Sequence, residues 1–273
     1  MHKYKLIAFD MDGTLLNSKK EISRRNLSAI HKAVEKGKVI ILSTGRGLTE
    51  LKEYQGILKE VQYFNCANGA LGFDQKNRQV IHSKALDIET VKRLIEISLK
   101  EDAMIHLMTK ESVFQKDQVV QMQKYGLGDY QATYTGEAVE WENLAKEYYK
   151  NPFPVEKYSV HHTSEESRAR TEKRIVEAGL EVELVYADKT SLEVSERGVN
   201  KGWGIQRICE YLNIPIEDTI AVGDSDNDYT ALEVAGFAVA MGNANEKIKK
   251  VADVVVGDND HDGCAQVIEE YVL

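Results

Sequence analysis

The sequence predicts an α/β protein, a doubly wound parallel sheet interrupted by an α+β insert. Three observations predict this class. An apolar run, Leu6-Ile7-Ala8-Phe9, opens an alternation of strand-like and helix-like segments. That alternation breaks between about residues 84 and 188. It returns from about residue 201 to the end.

The run over 6–9 stops at Asp10-Met11-Asp12-Gly13, as a strand does when it meets Asp and Gly. Leu27, Ile30, Ala33 and Val34 recur at helical spacing over 23–35, with Ser23 as an N-cap and Gly37 as a stop. A second strand over 38–42 ends in Ser43-Thr44-Gly45-Arg46. A helix over 48–58 follows, then a short strand over 63–66 that leads into Asn68-Gly69-Ala70. This β-α-β-α-β order implies a parallel sheet with right-handed crossovers.

The middle has another rhythm. Residues 87–100 read as a helix with Val91, Leu94, Ile95 and Ile97 on its apolar face. Residues 103–108 and 112–115 resemble a hairpin. Strands over 155–161 and 182–186 flank a charged helix over 165–178, and Pro152 and Pro154 mark a loop. Then the first rhythm resumes. A helix over 201–212 precedes a strand over 219–222 that ends in Gly223-Asp224-Ser225-Asp226-Asn227-Asp228. A helix over 229–235, a strand over 237–241, a helix over 245–251 and a strand over 254–256 lead to a C-terminal helix. The expected organisation is a core in two pieces, 1–83 and 189–273, around an insert of 84–188. No internal repeat stands out.

Composition bounds the function. At 273 residues the chain can bury a full core, and 42% hydrophobic with 29% charged residues describes a soluble globular protein. No apolar stretch approaches the roughly 20 residues of a membrane helix, and no signal-peptide pattern opens the chain. A cytoplasmic location with no membrane partner is expected. Cys66, Cys209 and Cys264 are odd in number and scattered, which argues for small buried hydrophobes over a disulfide framework or a zinc site. A formal net charge of −9 without any basic run argues against a nucleic-acid partner. It does not exclude a small phosphorylated molecule. A monomer or homodimer is expected.

The chemistry concentrates at strand ends. Asp10 and Asp12 follow one apolar strand, and Asp224 and Asp228 follow another. If the strands are neighbours, the carboxylates converge, and convergent oxygens suit Mg²⁺. With a divalent ion present, one carboxylate can attack phosphorus and a second can shuttle protons. The Thr44 hydroxyl and the Gly45 amide stand at the end of the second strand, where a helix begins and can bind phosphate oxygens. Lys201 starts a helix and can bring positive charge to nucleophile and phosphate together.

These segments resemble the four motifs of the haloacid dehalogenase superfamily, in its aspartate-nucleophile phosphatase form. Asp10-Met11-Asp12-Gly13-Thr14-Leu15 is similar to the first motif and Ser43-Thr44-Gly45-Arg46 to the second. Lys201-Gly202 is similar to the third and Gly223-Asp224-Ser225-Asp226-Asn227-Asp228 to the fourth. The insert lies between the second and third, as in the type IIB cap of the Cof-like hydrolases. The resemblance implies a Rossmann-like core with a mobile cap that closes over the phosphate. It implies Asp10 as nucleophile and Asp12 as general acid/base. Mg²⁺ would be held by Asp10, by Asp12 through its backbone carbonyl or carboxylate, and by Asp224. Thr44, Gly45, Lys201, Asn227 and the Met11 backbone would contact phosphate. Asp228 would orient Lys201 or the metal shell, with Ser225 in support. Arg46 and Asn68 are substrate-side candidates. The implied reaction is hydrolysis of a sugar phosphate or of a phosphorylated cofactor such as pyridoxal phosphate or FMN, and the insert should choose among them.

Plainer readings stand beside these. Asp-Gly-Thr favours turns. Thr44 can be a helix cap, Asn68 a turn residue, Arg46 the partner of an acid, and Lys201 a solvated lysine. His161-His162 looks like a metal pair, but adjacent strand residues face opposite ways, so a structural role fits better. Tyr125, Tyr130, Tyr134, Trp141, Tyr148 and Tyr149 should mostly be packing, with one or two lining the substrate cleft. The charged run over 165–177 reads as a solvated helix face. Two other functions share the motifs: a phosphosugar mutase, disfavoured by the position of the insert, and a non-catalytic phosphometabolite sensor, disfavoured by the intact nucleophile.

Overall fold

A computed structural model describes residues 4–186 and 188–273. Residues 1–3, in the expected first core piece, and residue 187, in the expected insert, lie outside the described residues. Five strands precede the insert: β1 (Leu6–Phe9), β2 (Val39–Ser43), β3 (Tyr63–Cys66), β4 (Leu71–Asp74) and β5 (Gln79–Ser83). Six lie within it: β6 (Ala103–Met108), β7 (Ser112–Gln115), β8 (Val139–Trp141), β9 (Lys157–His162), β10 (Val182–Val185) and β11 (Ser191–Glu196). Three follow: β12 (Thr219–Gly223), β13 (Phe237–Ala240) and β14 (Val254–Val255). The chain divides into two compact units. The first takes the chain up to Arg46, Tyr54–Ser83 and Asn200–Leu273, and the second Gly47–Glu53 with Lys84–Val199.

In the first unit the sheet order is β14-β13-β12-β1-β2-β3-β4-β5. Neighbours from β14 to β3 pair in parallel, while β3–β4 and β4–β5 are antiparallel. Strands covered on both faces should be continuously apolar, and β1 is buried at every position. The helix Arg24–Glu35 starts where expected, because the Ser23 side chain accepts from the Asn26 N–H. Ile205, Ile208 and Cys209 of the helix Lys201–Leu212 join Leu6, Ala8, Ile41 and Ala221 in one core. From β1 the chain runs outward through β2 and β3. It returns on the other side of β1 through β12 to β14. That reversal creates a crevice at the C-terminal strand ends, where open α/β sheets bind ligands. The hairpin β4–β5 was not expected. Its outer strand is an exposed or half-buried edge with little apolar signal.

In the second unit the order is β10-β11-β9-β6-β7-β8. All pairs are antiparallel except β7–β8. This unit runs to Val199, beyond the expected end at 188, because Ser191–Glu196 is an inner strand between β10 and β9. One face of the sheet is apolar. Ile105, Leu107, Tyr158, Val160, Leu192 and Val194 pack there with Val91 and Leu94 of the helix Ile88–Ser98, Ile175 of Glu165–Glu177 and Tyr148 of Leu144–Lys150. Side chains alternate along a strand, so the opposite face carries Met104, His106, Phe114, Ser159, His161 and Glu193. A smaller cluster of Met104, Phe114, Val119, Met122, Tyr125, Leu127 and Tyr134 forms from the segment after β7. The expected aromatics are thus chiefly packing, with Tyr149 at 40% exposure the exception. Cys66, Cys209 and Cys264 are buried free thiols. Among the described residues no helix is long and apolar enough to cross a membrane.

Candidate active site

Parallel register fixes the site. Phe9 pairs with Val222 on one side and Leu42 on the other. The residues just past these strands therefore meet at one level of one sheet edge: Asp10 after β1, Thr44 after β2 and Asp224 after β12. The Asp10 N–H donates to the Val222 carbonyl at 3.0 Å. Carboxylate oxygens of Asp10, Asp224 and Asp228 lie within 4.8 Å of one another.

Lys201 is the centre of this group. It is fully buried, and its Nζ donates to Asp10 Oδ1 and Asp228 Oδ1, both at 2.6 Å. Burial opposes its charge, but the two carboxylates outweigh burial and hold its pKa above the ordinary lysine value. Asn200 caps the helix that Lys201 opens, accepting from the Trp203 N–H. The second oxygen of Asp228 accepts from the backbone N–H groups of Asp224 and Ser225, at 2.9 and 3.1 Å. Asp228 therefore fixes Lys201 and the Asp224 turn together. Asp10 is pushed up by burial; Lys201 opposes that push and Asp228 and Asp224 add to it. Asp224 is raised to about 6, again chiefly by burial. Its Oδ1 accepts from the Thr14 hydroxyl at 2.8 Å.

Asp12 stands apart. Arg46 grips its carboxylate with two N–H groups at 2.8 and 2.9 Å, and Lys20 adds a third contact at 2.7 Å. Burial alone would raise its pKa, but these cations outweigh burial and bring it to about 2. The Asp12 side chain is thus turned to Arg46 and Lys20, and Asp228 stands in the carboxylate group where a third oxygen ligand was expected. Arg46 pairs with an acid, as one of its two readings had it.

The remaining expected residues close in from the sides. Met11 is fully buried, and its carbonyl accepts from the N–H groups of Thr14 and Leu16. The Thr44 hydroxyl accepts from the Arg46 N–H at 3.1 Å. A side chain at Gly45 would begin 3.0 Å from Asn68 Oδ1. Asn68 in turn accepts from Asn227 Nδ2 at 3.3 Å, and Ser225 donates to Asn227 Oδ1 at 2.8 Å. Glycine is required at two turns. Gly13 has φ +83°, and a Cβ there would meet Asp224 Oδ2 at 2.5 Å. Gly69 has φ +101°, with the Asn200 carbonyl 2.1 Å from a Cβ.

Three residues of this site escaped the sequence reading. Thr14 and Lys20 hold Asp224 and Asp12. Fully buried Asn65 donates through Nδ2 to Ser43 Oγ at 2.9 Å and to the Lys201 carbonyl at 3.0 Å, tying β2 and β3 to the lysine helix. A lone amide inside the apolar strand Tyr63–Cys66 was the available signal for Asn65.

Comparison with known proteins agrees with this geometry. The family model for haloacid dehalogenase-like hydrolases matches residues 7–268. The 5-amino-6-(5-phospho-D-ribitylamino)uracil phosphatase YcsE of Bacillus subtilis (strain 168) is 30% identical, over 98% of this chain and 96% of its own. The pyridoxal phosphate phosphatase YbhA of Escherichia coli (strain K12) is 28% identical over 98% and 99%. A solved haloacid dehalogenase-like hydrolase from Bacteroides thetaiotaomicron superposes with a TM-score of 0.84 at 28% identity, covering 97% of this chain and 98% of its own. With its motifs at one edge of a doubly wound sheet and relatives matching nearly end to end, the chain belongs to the haloacid dehalogenase-like hydrolases, among their phosphatases.

Proposed function

We propose that this protein hydrolyses a small phosphorylated metabolite through an aspartyl-phosphate on Asp10, with Mg²⁺ as its metal. One observation carries the reading: a buried Asp10, hydrogen-bonded to a buried Lys201, stands among further carboxylates at the crevice of the sheet. Three carboxylates, Asp10, Asp224 and Asp228, face one ammonium. That excess of negative charge, all on hard oxygen donors, fits a small divalent cation. Asp10, Asp224 and Asp12, the last through its backbone carbonyl or its carboxylate, would hold it. When bound, the ion offsets the mutual repulsion of carboxylates and phosphate.

An oxygen of Asp10 attacks phosphorus, the bond to the leaving oxygen breaks, and the leaving oxygen takes up a proton. Water then attacks the acyl phosphate, gives a proton to a base, and releases inorganic phosphate and free Asp10. Asp12, ionised beside Arg46 and Lys20, is poised for the base half. It serves the acid half only after those cations loosen and its pKa rises. Lys201 keeps Asp10 oriented and screens its charge, and Asp228 keeps Lys201 in place. Thr44, Gly45 and Asn227 offer hydroxyl and N–H groups to phosphate. By their names the relatives act on 5-amino-6-(5-phospho-D-ribitylamino)uracil and on pyridoxal phosphate, which supports a small phosphorylated metabolite here.

The test is Asp10→Asn, assayed by phosphate release from p-nitrophenyl phosphate and a metabolite panel, with and without Mg²⁺. We expect turnover to fall by about 10³-fold or more, since the nucleophile is removed. Wild-type turnover in the variant would overturn the mechanism.

A further inference from the structure

The turn over 67–69, in the first unit, is strained. Ala67, Asn68 and Gly69 follow one another at φ +52°, +54° and +101°. The left-handed region is costly wherever a Cβ is present, as at Ala67 and Asn68, and such a turn persists only where its surroundings hold it. Three contacts hold this one. The Ala67 N–H donates to the Arg46 carbonyl and the Asn68 N–H to the Thr44 carbonyl, both at 3.0 Å. These two bonds lay the turn along Thr44-Gly45-Arg46. The third comes from a side chain: His82 Nε2 lies 3.0 Å from the Gly69 carbonyl oxygen.

That contact fixes the proton of the imidazole. A carbonyl only accepts, so Nε2 donates and Nδ1 carries the lone pair. Nδ1 is buried without a hydrogen-bond partner. An unpaired buried nitrogen opposes folding, and an apolar side chain would fill the place without it. The histidine is therefore explained by the bond that Nε2 makes. Burial holds the ring neutral; the Gly69 carbonyl works against that push and the charge of Arg207 adds to it.

The surroundings are cut to fit the ring. The ladder between β4 and β5 slips by one residue between Gly72 and Phe73, and such bulges re-aim the side chains beside them. Gly72 pairs with His82, and a Cβ there would meet the imidazole at 2.4 Å. The ring also stands edge-to-face with Trp203, with centroids 5.0 Å apart and planes at 85°. Trp203 lies in the first turn of the helix that Lys201 opens, and its N–H is the one that Asn200 caps. His82 thus joins the strained turn to the start of the lysine helix. What the turn places is Asn68, which accepts from Asn227 and stands over Gly45.

We propose that His82 is a positioning residue for the phosphate end of the site: its donation to the Gly69 carbonyl holds the 67–69 turn in its left-handed form and keeps Asn68 set against Asn227 and Gly45. The inference rests on the phosphatase reading above, in which Gly45 and Asn227 face phosphate.

The test compares wild type with His82→Phe, which has no donor, and His82→Gln, which keeps one. His82→Phe is also made in an Asn68→Ala background. The readouts are KM and kcat for p-nitrophenyl phosphate and the Kd of inorganic phosphate by calorimetry, both with Mg²⁺ present. His82→Phe should raise KM and the phosphate Kd together by about fivefold, with kcat within about twofold. His82→Gln should restore most of both. In the Asn68→Ala background His82→Phe should change either by less than about 1.5-fold, because the group it positions is gone. Unchanged KM and Kd in His82→Phe overturn the inference. So does an equal loss in both backgrounds, and so does a His82→Gln protein as impaired as His82→Phe. If His82→Phe does not fold, His82→Met, also without a donor, takes its place under the same criteria. A wild type that binds phosphate but does not cleave p-nitrophenyl phosphate refutes the phosphatase reading, and the phosphate Kd still decides the role of His82.

Discussion

The crevice of the first sheet and the polar face of the second differ in how far their buried charges and polar groups are paired, although Asn65 Oδ1 beside the crevice is also without a partner. At the crevice, Lys201 bridges Asp10 and Asp228, Arg46 and Lys20 hold Asp12, and Thr14 reaches Asp224. On the second sheet, His106, Ser159 and His161 each keep a buried atom unpaired. Groups that must run one reaction on a constant phosphate can be pre-arranged among themselves, and preorganisation is what electrostatic catalysis requires.

If that contrast is right, breaking the first arrangement should cost the most. Lys201→Ala removes the ammonium bonded to Asp10 and leaves two buried carboxylates facing each other. Urea unfolding at pH 7 should show a loss of about 3–5 kcal/mol, with turnover lost as well. A loss under about 1 kcal/mol would mean that the triad is not dry and coupled.

The next effect is one of pH, in the second unit. His161 has a folded pKa of about 4 against an ordinary 6.5. Between those values the unfolded chain binds a proton that the folded chain refuses, so stability rises with pH. It is fully present above pH 6.5 and is lost as pH falls toward 4. The loss through this one group is at most about 3.5 kcal/mol, since one pKa unit is worth about 1.4. His106, pushed down by burial, adds in the same direction. Chemical denaturation at pH 7 and pH 4.5 should show the loss, and His161→Phe should reduce it. Equal acid sensitivity in that variant would place the cause elsewhere.

The smallest effects sharpen the contrast within one sheet. Tyr158→Phe strips Ser98 of its buried partner and should cost about 1 kcal/mol. Ser159→Ala, one residue along but on the other face, removes a buried unpartnered hydroxyl and should leave stability unchanged or raise it by about 1 kcal/mol. Thermal melts can rank the two. The reverse order would show that Ser159 serves the fold.

Legibility in the sequence follows the same division. Leu6–Phe9, Tyr63–Cys66 and Lys201–Leu212 could be bounded from the sequence because short buried runs that stop at Asp or at Ala-Asn-Gly, and a helical repeat, leave little choice. Ser191–Glu196 could not. Its Leu192 and Val194 do alternate with polar residues, but the run is short and charged at both ends, and its inner place follows from pairing with β9, about thirty residues earlier, as well as with the adjacent β10. The pairing of Arg46 with Asp12 was equally hidden, because residues 34 positions apart announce no contact.

By itself the sequence determined that strands end in Asp10, Thr44 and Asp224, and that a lysine opens a late helix. Local order dictates these, since a strand of buried residues must stop where charge begins. Only the tertiary structure decided which charges meet. It set Lys201 between Asp10 and Asp228 and put Asp228 beside Asp224. It also turned the Asp12 side chain toward Arg46 and Lys20 and left His161 Nε2 without a partner. The physical reason is that pairing energies in a dry interior depend on a few ångströms of separation, and that separation is a property of the packed sheet order rather than of any segment.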